Sequence, residues 1–185
     1  MRKVLRANIY FLLILLMEIF MPIPLAIIFR IFNITDARIA LFINHTTIFI
    51  LPAIVYLLVT KQSAKEVLKI NKLHLKDTLL IILLAFMCQP IMTFFSLIAQ
   101  FLFENEVGEF ITSISGTSYI VLLMLVAVMP AITEEITLRG IVLAGYEDKN
   151  IFLSSAIIGL FFGIFHLDPQ QFLYAAVLGF ILALV

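Results

Sequence analysis

Two adjacent acids, Glu134 and Glu135, sit in an apolar stretch, with Arg139 four residues after the second. A later apolar stretch carries His166, with Phe162 one helical turn before it. Acids and imidazoles inside membrane-length segments are costly, so these residues are functional candidates by default. A carboxylate and an imidazole converging on one water can deprotonate it, or can hold a divalent ion that lowers its pKa. The chemistry on offer is hydrolysis. The same polar residues could equally form a buried network that holds helices together. On chemistry alone the two readings weigh evenly.

Helix geometry sorts the two glutamates. At about 100° per residue, Glu135 and Arg139 lie about 40° apart and can pair directly. Glu134, five residues from Arg139, lies about 140° away and should point elsewhere. Arg139 is therefore expected to neutralise Glu135, leaving Glu134 to face a cavity as general base or proton shuttle. Phe162 and His166 share a face, so the ring can pack on the imidazole and fix it. With a helix end at 146, Glu134 lies roughly 18 Å along its helix, and His166 lies roughly 22 Å from a start at 151. Antiparallel neighbours would bring the two to similar depth.

The elements that must position these residues belong to a membrane protein. Hydrophobic residues make up 63% of the 185 and charged residues 13%, with a mean hydropathy of +1.17. A soluble domain of this length could not bury that much apolar surface, so its solvent is lipid. Net charge is zero, which gives no argument for nucleic-acid binding. The single cysteine, Cys88, rules out an intrachain disulfide framework and reads as a packed thiol.

Six apolar stretches, at about 8–29, 39–60, 78–103, 118–146, 151–167 and 170–185, predict an all-α polytopic bundle of about six spans. The first has a basic start but contains Glu18 and lacks a cleavage site, so it reads as a retained helix, kinked by Pro22 and Pro24. Residues 1–77 read as N-terminal membrane helices plus a basic loop, and 78–185 as the core. Lys61, Lys65, Lys69, Lys72 and Lys76 contrast with Glu104, Glu106 and Glu109 in the next loop. The positive-inside rule then makes the N-terminus and the lysine loop cytoplasmic. On a continuous helix those lysines fall within an arc of about 80°. They suit either an interfacial helix on lipid headgroups or a solvated linker. Glu18 could line a cavity or snorkel, and His45 reads as an interhelical or interfacial residue.

Glu-Glu-x-x-x-Arg followed by Phe-x-x-x-His resembles the motifs of the CAAX-protease and bacteriocin-processing family of intramembrane metalloproteases, also called the abortive-infection family. The resemblance covers about 78–185 and is most specific over 130–166. It implies that Glu134 and His166 activate water, with Glu135, Arg139 and Phe162 in support. It also implies a divalent ion, zinc by analogy, for which Glu134 and His166 are the candidate ligands. Membrane lipid and a peptide or membrane-protein substrate are the implied partners. Bacterial relatives are linked to peptide maturation, bacteriocin self-immunity or membrane signalling, which implies residence in a bacterial cell membrane.

Family members carry a further helix with a His followed four residues later by Asn or Asp, which these residues lack. The expectation is a piece of a longer protein or a degenerate relative, and the abrupt apolar end favours the piece. Two other readings remain: a non-catalytic membrane immunity or binding protein of the same fold, and a transporter fragment. The transporter reading would call for inverted repeats, and none is evident.

Overall fold

Long apolar runs broken by short polar connections fold here as helices. The computed structural model describes residues 2–104, 108, 111–112 and 116–185, and no strand occurs among them. The helices are α1 (Arg2–Phe20), α2 (Pro22–Ile31), α3 (Ala37–Thr60), α4 (Ala64–Val67), α5 (Leu75–Gln100), α6 (Tyr119–Val142), α7 (Ile151–Phe165) and α8 (Pro169–Leu184). Three of them, α3, α5 and α6, are long and apolar enough to cross a membrane, and α1 with α2 makes a fourth if the bent pair is one span. The protein is an all-α membrane protein.

The six apolar stretches of the sequence all form helices, with two differences from simple spans. The first is broken at Met21, where α1 and α2 meet at 44°, because Pro22 and Pro24 interrupt the backbone ladder. The last two helices have only 15 and 16 residues, shorter than the roughly 20 a straight crossing takes. Glu106 and Glu109 of the acidic connection lie outside the described residues.

The lysine face does not form. A continuous helix would have to run through 61–76. Instead Lys61 and Lys69 adopt left-handed conformations, with φ of 54° and 50°, and only Ala64–Val67 is helical between them. Left-handed residues end a right-handed helix, so the arc has no continuous helix to lie on. The segment is a linker with one helical turn.

Chain contacts divide the protein into two compact units that interleave in sequence. The first comprises Met1–Leu68 and Val107–Gly145, and the second Lys69–Glu106 and Tyr146–Val185. In the first, α1 packs against α3 and against the Glu135–Val142 part of α6. Ala7, fully buried, meets Gly145 so closely that a Cβ at 145 would lie 2.4 Å from that of Ala7.

In the second unit, α7 and α8 form a close hairpin and α8 also packs on α5. Asn150 caps α7 by accepting from the amides of Phe152 and Leu153, and Asp168 caps α8 by accepting from Gln170. Gly159 and Gly163 let the two backbones touch. A Cβ at Gly159 would come within 2.6 Å of the Ala176 carbonyl, and one at Gly163 within 2.8 Å of the Phe172 carbonyl. Facing them, Ala175, Gly179 and Ala183 are buried on α8 at spacings of four. Small residues four apart on both partners are how membrane helices approach closely.

Candidate functional site

Three stretches of these helices are wound as π-helix, and their causes differ. Thr46–Ile50 precedes Pro52 in α3, and Met124–Val128 precedes Pro130 in α6. A proline ring clashes with the carbonyl four residues back, and a wider turn there relieves it. The third stretch, Glu135–Val142, contains no proline. It begins on the second glutamate of the motif and includes Arg139. π-turns inside α-helices are frequent at functional sites.

This winding changes the sorting of the glutamates. Arg139 pairs with Glu135 at 3.3 Å, the pairing expected from spacing. Its side chain is 10% exposed, while that of Glu135 is 55% exposed. A ladder closed over five residues, however, also brings positions i and i+5 towards one face. Glu134 stays within reach of the Arg139 charge, while the ion pair itself is with Glu135. The 140° separation holds only for an ideal α-helix.

A residue from another helix joins this group. Glu18 of α1 lies near enough to Glu134 for their charges to repel. It is half-buried, and its Oε2 is enclosed with no hydrogen-bond partner. The sequence raised Glu18 as a cavity-lining residue, and its proximity to Glu134 comes from the packing of α1 on α6. Next to them Thr133 is buried and satisfies its hydroxyl on the helix itself, donating to the carbonyls of Met129 and Pro130 at 3.1 and 3.0 Å. In the first unit, then, the Glu135–Arg139 ion pair has Glu134 within reach of its charges, and Glu134 in turn feels that of Glu18.

Phe162 and His166 belong to the second unit. The Phe162 ring meets the imidazole edge-on, with centroids 4.8 Å apart and planes at 83°. The same residue fixes the ring from its backbone: His166 Nδ1 lies 2.8 Å from the Phe162 carbonyl oxygen. A carbonyl only accepts, so Nδ1 carries the proton and donates it, and Nε2 is the basic atom. His166 ends α7, and the next residue, Leu167, takes a left-handed φ of 51° before Asp168 and Pro169 start α8. The imidazole therefore stands at the tip of a glycine-packed hairpin.

The remaining polar candidates take structural places. His45 is half-buried and packs on Phe49 with ring centroids 5.2 Å apart. Cys88 is a buried free thiol. Of the two zinc ligands the resemblance implies, Glu134 lies in the first unit and His166 in the second, and catalytic zinc sites take three protein ligands. Among the described residues no three His, Cys, Asp or Glu side chains are grouped to hold a metal. That donor set does not fit zinc.

Residues 116–185 match the sequence model of the Rce1-like family, described as Type II CAAX prenyl endopeptidase Rce1-like. The matched segment contains Glu134, Glu135, Arg139, Phe162 and His166. No curated protein and no solved structure matches the chain.

Proposed function

We propose that the protein is an intramembrane endopeptidase of the CAAX-protease and bacteriocin-processing type, in which Glu134 and His166 act on one water. The observation that carries this reading is the family match over 116–185, which spans both residues. Glu134 accepts a proton from water while His166, through Nε2, accepts a hydrogen bond that orients it. The water oxygen bonds to the peptide carbonyl carbon and the carbonyl π electrons move to its oxygen. On collapse the C–N bond breaks and Glu134 returns the proton to the leaving amine. Arg139 and Glu135 hold the acidic turn in place, and Phe162 holds the tautomer and tilt of the imidazole.

The partners follow from the setting: membrane lipid around the helices and a membrane-proximal peptide or membrane protein as substrate. The lysine distribution supports a cytoplasmic N-terminus. The resemblance to bacterial relatives supports residence in a bacterial cell membrane.

The test is cleavage by the purified protein in lipid vesicles, using peptides that include one cut by an active family relative. Glu134→Gln and His166→Ala are each expected to lower the rate by about 100- to 10,000-fold while folded protein is retained. Cleavage that survives Glu134→Gln overturns the mechanism. A folded wild type that cleaves none of the panel, beside an active relative that does, assigns the chain to the membrane binding or immunity role instead.

A further inference from the structure

An open-sided groove of about 430 Å³ runs between α1 and α3 within the first unit. Its long walls are apolar, with Leu13 and Met17 on one side and Val55 and Val59 on the other. Tyr10, buried, and Tyr56 pack edge-on beneath, with ring centroids 5.0 Å apart. Arg6 and Thr60 line one end. From Arg6 to Met17 is roughly 16 Å along α1 at the helical rise. The other side ends at Lys61, the left-handed residue that closes α3.

Arg6 is exposed, and among the described residues no carboxylate pairs with Arg6 or Lys61. Arg2 and Lys3 precede Arg6 on the same helix. The groove is therefore apolar for its length and cationic at one end, beside the start of α1 and the end of α3, where a span meets headgroups. A peptide strand laid in it would leave its N–H and C=O groups unpaired along the apolar walls. An amphiphile with a hydrocarbon chain and an anionic head leaves nothing unpaired.

We infer that this groove holds one acyl chain of an anionic phospholipid, with the lipid phosphate on Arg6. The site is independent of the proposed catalytic residues. It requires a preference set by headgroup charge and a dependence on groove volume. One basic residue near an anionic surface contributes about 1 kcal/mol, so charge selectivity of about fivefold rests on Arg6.

The experiment is native mass spectrometry of the full chain in detergent, counting retained lipid after titration with dioleoyl phosphatidylglycerol or dioleoyl phosphatidylcholine. Thermal unfolding is recorded in parallel. Wild type should retain phosphatidylglycerol about fivefold better than phosphatidylcholine and unfold at higher temperature with it. Arg6→Gln should bring the two lipids level, and Val55→Trp, which fills an exposed part of the groove, should lower retention of both. Lys72→Gln, in the linker, should leave the preference intact. Glycerol phosphate alone should not protect against unfolding.

Equal retention of the two lipids by wild type overturns the inference. So does a preference that survives Arg6→Gln but is lost in Lys72→Gln, which would place it on the linker. Protection by glycerol phosphate equal to that by the lipid would reduce the groove to a headgroup contact and contradict the acyl-chain claim.

Discussion

The π-wound end of α6 and the α7–α8 hairpin each carry candidate residues, and they are built on opposite principles. The hairpin is held by backbone contact: Gly159, Gly163 and Gly179 leave no room for a Cβ, and a hydrogen bond from Nδ1 fixes the His166 ring. The α6 turn is π-wound, places an ion pair beside a second carboxylate, and receives a third from α1. One holds an imidazole by packing. The other holds charge by charge.

Substitutions that act on one principle and not the other break this contrast, and their effects should fall in a definite order. Gly159→Leu forces a side chain into the Ala176 carbonyl and the Phe180 backbone. It should cost about 3 kcal/mol or more, since overpacking of ordinary cores costs about 1–3 kcal/mol, and thermal unfolding in detergent reads it. Glu135→Gln leaves the largely buried Arg139 with a weaker partner. Breaking a fully buried pair costs about 3–5 kcal/mol, and the exposure of Glu135 reduces the expectation to about 1–2 kcal/mol. It should appear as lower yield of folded protein with cleavage per folded molecule largely kept. Glu134→Gln should do the reverse. If Glu134→Gln collapses expression and Glu135→Gln does not, the two roles are exchanged.

Smaller effects sharpen the same comparison. Ser96 on α5 accepts hydrogen bonds from Gln170 and Gln100, each at 3.2 Å, and Gln170 is buried. Ser96→Ala should cost about 0.6 kcal/mol, the usual scale for a hydrogen bond between membrane helices. Ile132→Ala, on an exposed part of α6 one turn before the ion pair, should change stability by less than about 0.5 kcal/mol. A large loss there would mean that α6 is held by packing after all.

The helices were legible because lipid demands long apolar runs, and the kink at Pro22 and Pro24 because proline removes a backbone donor. The Glu135–Arg139 pair followed from a spacing of four. The π-winding did not, because it is a property of the folded turn and no proline in Glu135–Val142 announces it. The lysine arc failed because it presumed one helix through Lys61 and Lys69, whose left-handed backbones end it. The hairpin contact had a readable signal that pattern reading passed over: Gly159 and Gly163 four apart, then Ala175, Gly179 and Ala183. The nearness of Glu18 to Glu134 depends on how α1 packs on α6, and the order of residues does not specify that.

The central claim is that Glu134 and His166 reach one water, and cysteine cross-linking in native membranes tests it without a substrate. With Cys88 replaced by serine, a Glu134→Cys and His166→Cys pair is treated with a short bis-thiol reagent. A Ser96→Cys and Gln170→Cys pair, whose native side chains hydrogen-bond, serves as the positive control. The 134 and 166 thiols are expected to link efficiently, because two contacts to a shared water span roughly 6 Å at about 3 Å each. Failure of that pair to link, while the control pair links and both thiols react singly with a maleimide, would contradict it.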